Sequence, residues 1–209
     1  VARGTIQLAA VLAGALSAAT LAAACGSTGT KSKPSVATPA PPAALVAEAR
    51  PIGRGPRFQP PARGPVLGAC TRRLGARDGV HLEVFGANRV VIIPAGIGAR
   101  PPLQFSAGRI AGAGCYGEVV TLDPTGVLLV RPGARLVLAD LFRSWGEPLS
   151  RRALASFTAS PGVPVAVFVD GRPWRGSPAA VPLRRHSEIV LEVGPHVPPH
   201  TAYTFPPGT

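Results

Sequence analysis

The chain has no methionine, two lysines (Lys31 and Lys33) among its 22 basic residues, and ten acidic residues in 209. Each shortage excludes something. A coiled coil or long-helix protein is rich in Glu and Lys, so that class is ruled out. Ten acids leave few carboxylate pairs for acid–base work, and Asp123 and Asp140 read as a turn residue and a helix cap. The three cysteines contain no Cys-x-x-Cys spacing, the usual mark of a redox dithiol, and no paired histidines stand by to complete a zinc site on them. No serine nucleophile elbow occurs, and no Gly-rich phosphate loop opens a helix. No Ser-His-Gly precedes a cysteine, as it does in cross-linking transpeptidases. These absences read as no catalytic residues and no cofactor.

What is abundant is equally specific. Gly and Pro contribute 25 residues each, while 46% of the chain is hydrophobic and the mean hydropathy is +0.25. Such a chain is too apolar to be mostly disordered, and its breakers suit short strands. The net charge of +12 and a pI near 11.4 are nominally a nucleic-acid footprint. The arginines are scattered, however, with no aromatic residues interleaved, so the reading is no nucleic acid. Arg, Ala, Gly and Pro in excess over Lys are the mark of GC-rich coding, and Val1 reads as a non-AUG start.

Residues 1–24 read as a lipoprotein signal peptide. Arg3 supplies positive charge, and the run from Leu8 to Ala23 is apolar but shorter than a membrane-spanning helix. The junction Leu21-Ala22-Ala23-Ala24-Cys25 resembles a bacterial lipobox, which implies that Cys25 carries a diacylglyceryl group. Two or three acyl chains hold a protein stably on a membrane. Residues 25–66 read as a disordered, Pro-rich tether. Residues 26–66 carry six bases and one acid, next to the anionic headgroups.

Residues 67–209 read as the folded body. Val80 to Phe85 and Arg89 to Ile93, around Gly86-Ala87-Asn88, make one hairpin, and a short strand falls near Leu103 to Phe105. Glu118 to Leu122 and Val127 to Val130, around Asp123-Pro124-Thr125-Gly126, make a second hairpin. Leu138, Leu141, Phe142 and Trp145 share one helical face before Gly146 and Pro148. A turn is expected in Arg151 to Phe157. Strands follow at Val163 to Asp170, Arg172 to Trp174 and Glu188 to Val193, and an irregular tail closes the chain. The fold class is α+β, predominantly β: a mixed or antiparallel sheet with one short helix, its C-terminal half β-grasp-like. Val167-Phe168-Val169-Asp170-Gly171, Val181-Pro182-Leu183 and Ser187 to Val193 resemble the end of ubiquitin-like sulfur carriers. Those need a free Gly-Gly end, whereas this chain ends Pro207-Gly208-Thr209, so the resemblance implies fold and not carrier chemistry.

Other passages point to a second family. They include His81-Leu82-x-x-Phe85, Ile93-Pro94-Ala95-Gly96-Ile97-Gly98, Asp123-x-Thr125-Gly126, Leu141-Phe142-x-x-Trp145-Gly146-x-Pro148-Leu149-Ser150, Val190 to Gly194, and Tyr203-Thr204-Phe205-Pro206-Pro207-Gly208. Together they resemble an uncharacterised actinobacterial (mycobacterial-type) family of secreted lipoproteins, across most of residues 78–208. Many members carry alternating histidines before the first strand and a His-Thr-His-Asp run. Here Arg77 and Gly79 precede His81, and Val120-Thr121-Leu122 precede Asp123. The resemblance therefore implies export and fold, with the family's histidine grouping lost.

With Cys25 assigned to lipid, Cys70 and Cys115 read as a disulfide in an oxidising compartment. No metal site is assigned. The candidates for one are His81, His196 and His200, for copper or zinc. Trp174, between Arg172 and Arg175, reads as core with a ligand-stacking alternative. The expectation is a lipid-anchored protein on the extracytoplasmic face of the cell membrane. Its partners would be the membrane, through the lipid, and an envelope protein or wall component. Its role would be non-catalytic binding or scaffolding; the alternative is transition-metal binding. Cys25→Ala is expected to release the protein from the membrane fraction into the soluble fraction, read by immunoblot after cell fractionation. Retention in the membrane fraction would refute the lipobox.

Overall fold

The computed structural model describes residues 49–209. The signal segment, Cys25 and the tether up to residue 48 lie outside the described residues. Among the described residues thirteen strands occur in this order: β1 Asp78–Gly86, β2 Arg89–Val90, β3 Ala99–Arg100, β4 Gln104–Ser106, β5 Arg109–Gly112, β6 Cys115–Tyr116, β7 Val119–Val120, β8 Val127–Val130, β9 Ala153–Leu154, β10 Phe157–Thr158, β11 Ala166–Val169, β12 Arg172–Pro173 and β13 Glu188–Val193. The α-helix of the described residues, Leu138–Trp145, lies between β8 and β9.

The expected mixed sheet is present, with strand order β12-β11-β13-β1-β8-β7 and β2 paired to β1. Its centre is the parallel pair β1 and β13; every other pair is antiparallel. Two hairpins flank a central parallel pair and the helix packs on one face, a β-grasp-like arrangement. It is not confined to the C-terminal half, because the strand beside β13 is β1, more than 100 residues earlier. The Glu118 hairpin sits instead at the edge, as β7 and β8.

Alternation along the strands explains both faces. Val80, Leu82, Val84, Leu128, Val167, Ile189 and Leu191 pack with Leu138, Leu141, Phe142 and Trp145 into the main core. The helix forms there because those four residues share one face. Asp140 accepts the backbone N–H of Val137 at 3.1 Å at its start. Gly146 ends it at φ +87°, a conformation that favours glycine. The β1–β2 hairpin turns on Ala87 and Asn88, both at positive φ, as a two-residue turn requires. The turn expected in Arg151 to Phe157 proved to be a small ribbon, β9 with β10, and the short strand expected near Leu103 to Phe105 is β4, paired with β5, a strand the sequence patterning missed.

The tether boundary expected at residue 66 needs correction. Val90 donates to Pro51 O at 3.0 Å, and Ile92 to Phe58 O at 2.7 Å. Trp145 Nε1 donates to Pro60 O at 3.2 Å, and the Phe58 ring packs tilted at 59° against Phe157, centroids 5.0 Å apart. A Pro-rich stretch has no hydrophobic period, yet it offers carbonyls and fixed φ angles to a neighbour's free donors. Residues 50–66 are thus part of the body.

Cys70 and Cys115 form the expected disulfide, with Cα atoms 5.4 Å apart. It joins the start of the expected body to β6, beside the Thr71–Tyr116 bridge. It closes a loop of 45 residues, a length for which chain-entropy arguments give about 4 kcal/mol of stabilisation. Cys70→Ser/Cys115→Ser is expected to lower unfolding free energy by roughly that amount in guanidinium titration, with wild type in reductant shifting likewise.

Candidate functional site

The sheet face away from the helix carries the second set of alternating residues. On β1 these are His81, Glu83 and Phe85; on β13 they are Glu188, Val190 and Glu192. The parallel register sets His81 beside Glu188. Three of the four charged or titratable residues in this set, His81, Glu188 and Glu192, are buried. The tail after β13 folds back over them, with Tyr203 stacked on the His81 ring at 3.8 Å and 10°.

Both ring nitrogens of His81 face oxygen. Nδ1 lies 2.7 Å from Glu188 Oε2, and Nε2 lies 3.0 Å from Thr125 O. Burial pushes the Glu188 carboxyl above its ordinary range, against the hydrogen bond and charge of His81 and with Glu83 adding to the rise. A protonated Glu188 donates to Nδ1, and Nε2–H then donates to Thr125 O. A carbonyl partner on the far nitrogen holds the ring in one tautomer, with Nδ1 aimed at the carboxylates. The Asp123–Gly126 turn sets that carbonyl. Asp123 bonds the Thr125 hydroxyl and pairs with Arg109 at 3.2 Å. Gly126 sits at φ +83°, where a Cβ would meet Leu82 O at 2.5 Å and His81 Nε2 at 3.1 Å. Asp123 is thus a turn residue, as expected.

Glu188 Oε1 is buried without a hydrogen-bond partner. One ligand atom each from His81, Glu83 and Glu188 lies within 4.8 Å of the other two. One imidazole nitrogen and two carboxylates form a donor set that suits a divalent transition metal and leaves a position open. His200 Nδ1 bonds both Glu83 oxygens at 2.9 Å and orients that carboxylate. His196 stands apart, with Nδ1 2.6 Å from Glu192 Oε1. Glu192 Oε2 also accepts the Val197 N–H at 2.8 Å, pinning the start of the tail. The three candidate histidines therefore do not converge: His81 and His200 share one carboxylate network, and His196 belongs to another.

Glu83 and Glu188 are the residues that sequence reasoning missed. His81-x-Glu83 in a strand already places both side chains on one face. Nothing local announces Glu188, which arrives through the β1–β13 pairing. Two other residues in the passages that carry the resemblance are structural here: Arg77, where the resemblance sets a histidine, and Thr121, between the two positions where it sets the others. Arg77, its guanidinium pushed down by burial and by Arg131, donates to Gly117 O at 2.8 Å. Thr121 donates to Pro94 O at 2.7 Å and accepts from Ile97 N at 3.0 Å. Trp174 packs half-buried against the main core and donates to Ser177 O at 3.1 Å. No family model, curated protein or solved structure matches the chain.

The raised Glu188 carboxyl makes stability pH-dependent. Folding keeps its proton over a range where the unfolded chain, near 4.5, has lost it. Its contribution is therefore full below that value and lost as pH rises through the folded value. Glu188→Gln keeps a donor for His81 Nδ1 and cannot ionise. Denaturation midpoints from about pH 4 to about pH 8 are expected to fall more for wild type than for Glu188→Gln.

Proposed function

We propose that this is a lipid-anchored envelope protein with a non-catalytic binding role, whose body binds a divalent transition metal, zinc or copper. The observation that supports the metal reading is the convergence of His81 Nδ1, Glu83 and Glu188, with His81 oriented from behind by the Thr125 carbonyl. A metal ion takes the place of the proton between Glu188 and His81. It answers a buried carboxylate oxygen that no protein donor reaches. A tetrahedral zinc holds its donors about 3.4 Å apart, a contraction that rotation of the half-buried Glu83 side chain supplies. The anchor reading rests on the lipobox around Cys25. The envelope partner is then whatever delivers or accepts the ion.

Because Glu188 must be ionised to bind, affinity rises with pH through its raised value, and below that value binding releases a proton. Calorimetric titration of EDTA-stripped protein with zinc and with copper tests this. One ion is expected per chain, with Kd on the order of micromolar or tighter. Glu83→Gln and Glu188→Gln are each expected to weaken binding about tenfold or more. Absence of binding up to about millimolar ion, or affinity indifferent to both variants, would overturn the proposal.

A further inference from the structure

We propose that the cavity between the β1–β2 face and the turn at Val197–His200 binds a small organic acid, a carboxylate carried on an apolar body. The cavity measures about 430 Å³, within the span of small-molecule sites. Phe85, Val90 and Val197 form apolar walls, and Arg50, Glu83 and His200 supply the polar groups. Glu83 and His200 answer each other through both carboxylate oxygens. Arg50 has no such answer: its Nε is buried without a hydrogen-bond partner, and it enters no ion pair among the described residues.

An arginine offers donors alone, and one that lines an apolar cavity without an ion-pair partner calls for an acceptor. The planar guanidinium fork matches a carboxylate, which it takes in bidentate fashion. A bare inorganic anion would satisfy Arg50 but leave the apolar walls facing water. An amine would meet Arg50 with like charge. An acid with an aliphatic or aromatic body satisfies both ends, with its carboxylate on Arg50 and its body against Phe85, Val90 and Val197. The inference does not rest on the metal, although Glu83 and His200 border both sites.

The test is calorimetric titration of the full EDTA-stripped chain with octanoate and with octylamine, probes of equal length and opposite charge. Octanoate is expected to bind with Kd below about 1 mM, and octylamine about tenfold more weakly or not at all. Arg50→Gln is expected to lose about tenfold or more of octanoate affinity. Octylamine binding as tightly as octanoate, no octanoate binding at about 10 mM, or an unchanged Arg50→Gln would each overturn the inference. Zinc titrated separately into the same protein reads the metal site, so the two readings fail independently.

Discussion

The parallel pairing of β1 with β13 is the contact on which the rest of the structure depends. It joins residues more than 100 positions apart in register over six pairs. Its helix-side residues Leu82, Val84, Ile189 and Leu191 form the middle of the core. Its opposite side brings His81 against Glu188. A one-residue slip would turn the apolar set outward and bury the glutamates on the helix side, so core and site enforce one register.

That constraint explains how a half-charged sheet face is tolerated. Three carboxylates lie on two adjacent central strands, two of them buried. Unpaired charges there would be costly, and each carboxylate meets a histidine: Glu188 meets His81, Glu83 meets His200 and Glu192 meets His196. Two of the three histidines come from the tail, so the irregular C-terminal segment serves the sheet chemically. Tyr203 closes over His81, and the Val197 N–H is held by Glu192. The tail folds as it does because the sheet face needs its partners.

The proline-rich entry segment follows the same logic on another edge. Its carbonyls at Pro51, Phe58 and Pro60 accept from Val90, Ile92 and Trp145. Those donors would otherwise stay unsatisfied at the end of the first hairpin and beneath the helix. This docking also carries Arg50 to the cavity rim, which a free tether would not do.

Much of the fold was legible because its signals are local. Alternation marked β1 and β13, the Ala87-Asn88 and Asp170-Gly171 turns marked hairpins, and the Leu138–Trp145 face with Gly146 marked the helix. The expected oxidising compartment and the cysteine count were enough to anticipate the Cys70–Cys115 bond. The site was legible only in part. His81 and His200 stand out in any reading, but Glu83 gains meaning only beside them, and His196 was grouped with the wrong partners. Which strand lies next to β13 is a non-local choice, made by burying two apolar faces under one helix. Nothing within a few residues of Glu188 encodes that choice, nor does anything near Arg50 encode its place on the cavity wall. Composition and short-range pattern therefore determined the elements, the disulfide and the individual histidines. Tertiary packing alone decided which carboxylates meet them and where a donor is left to receive a ligand.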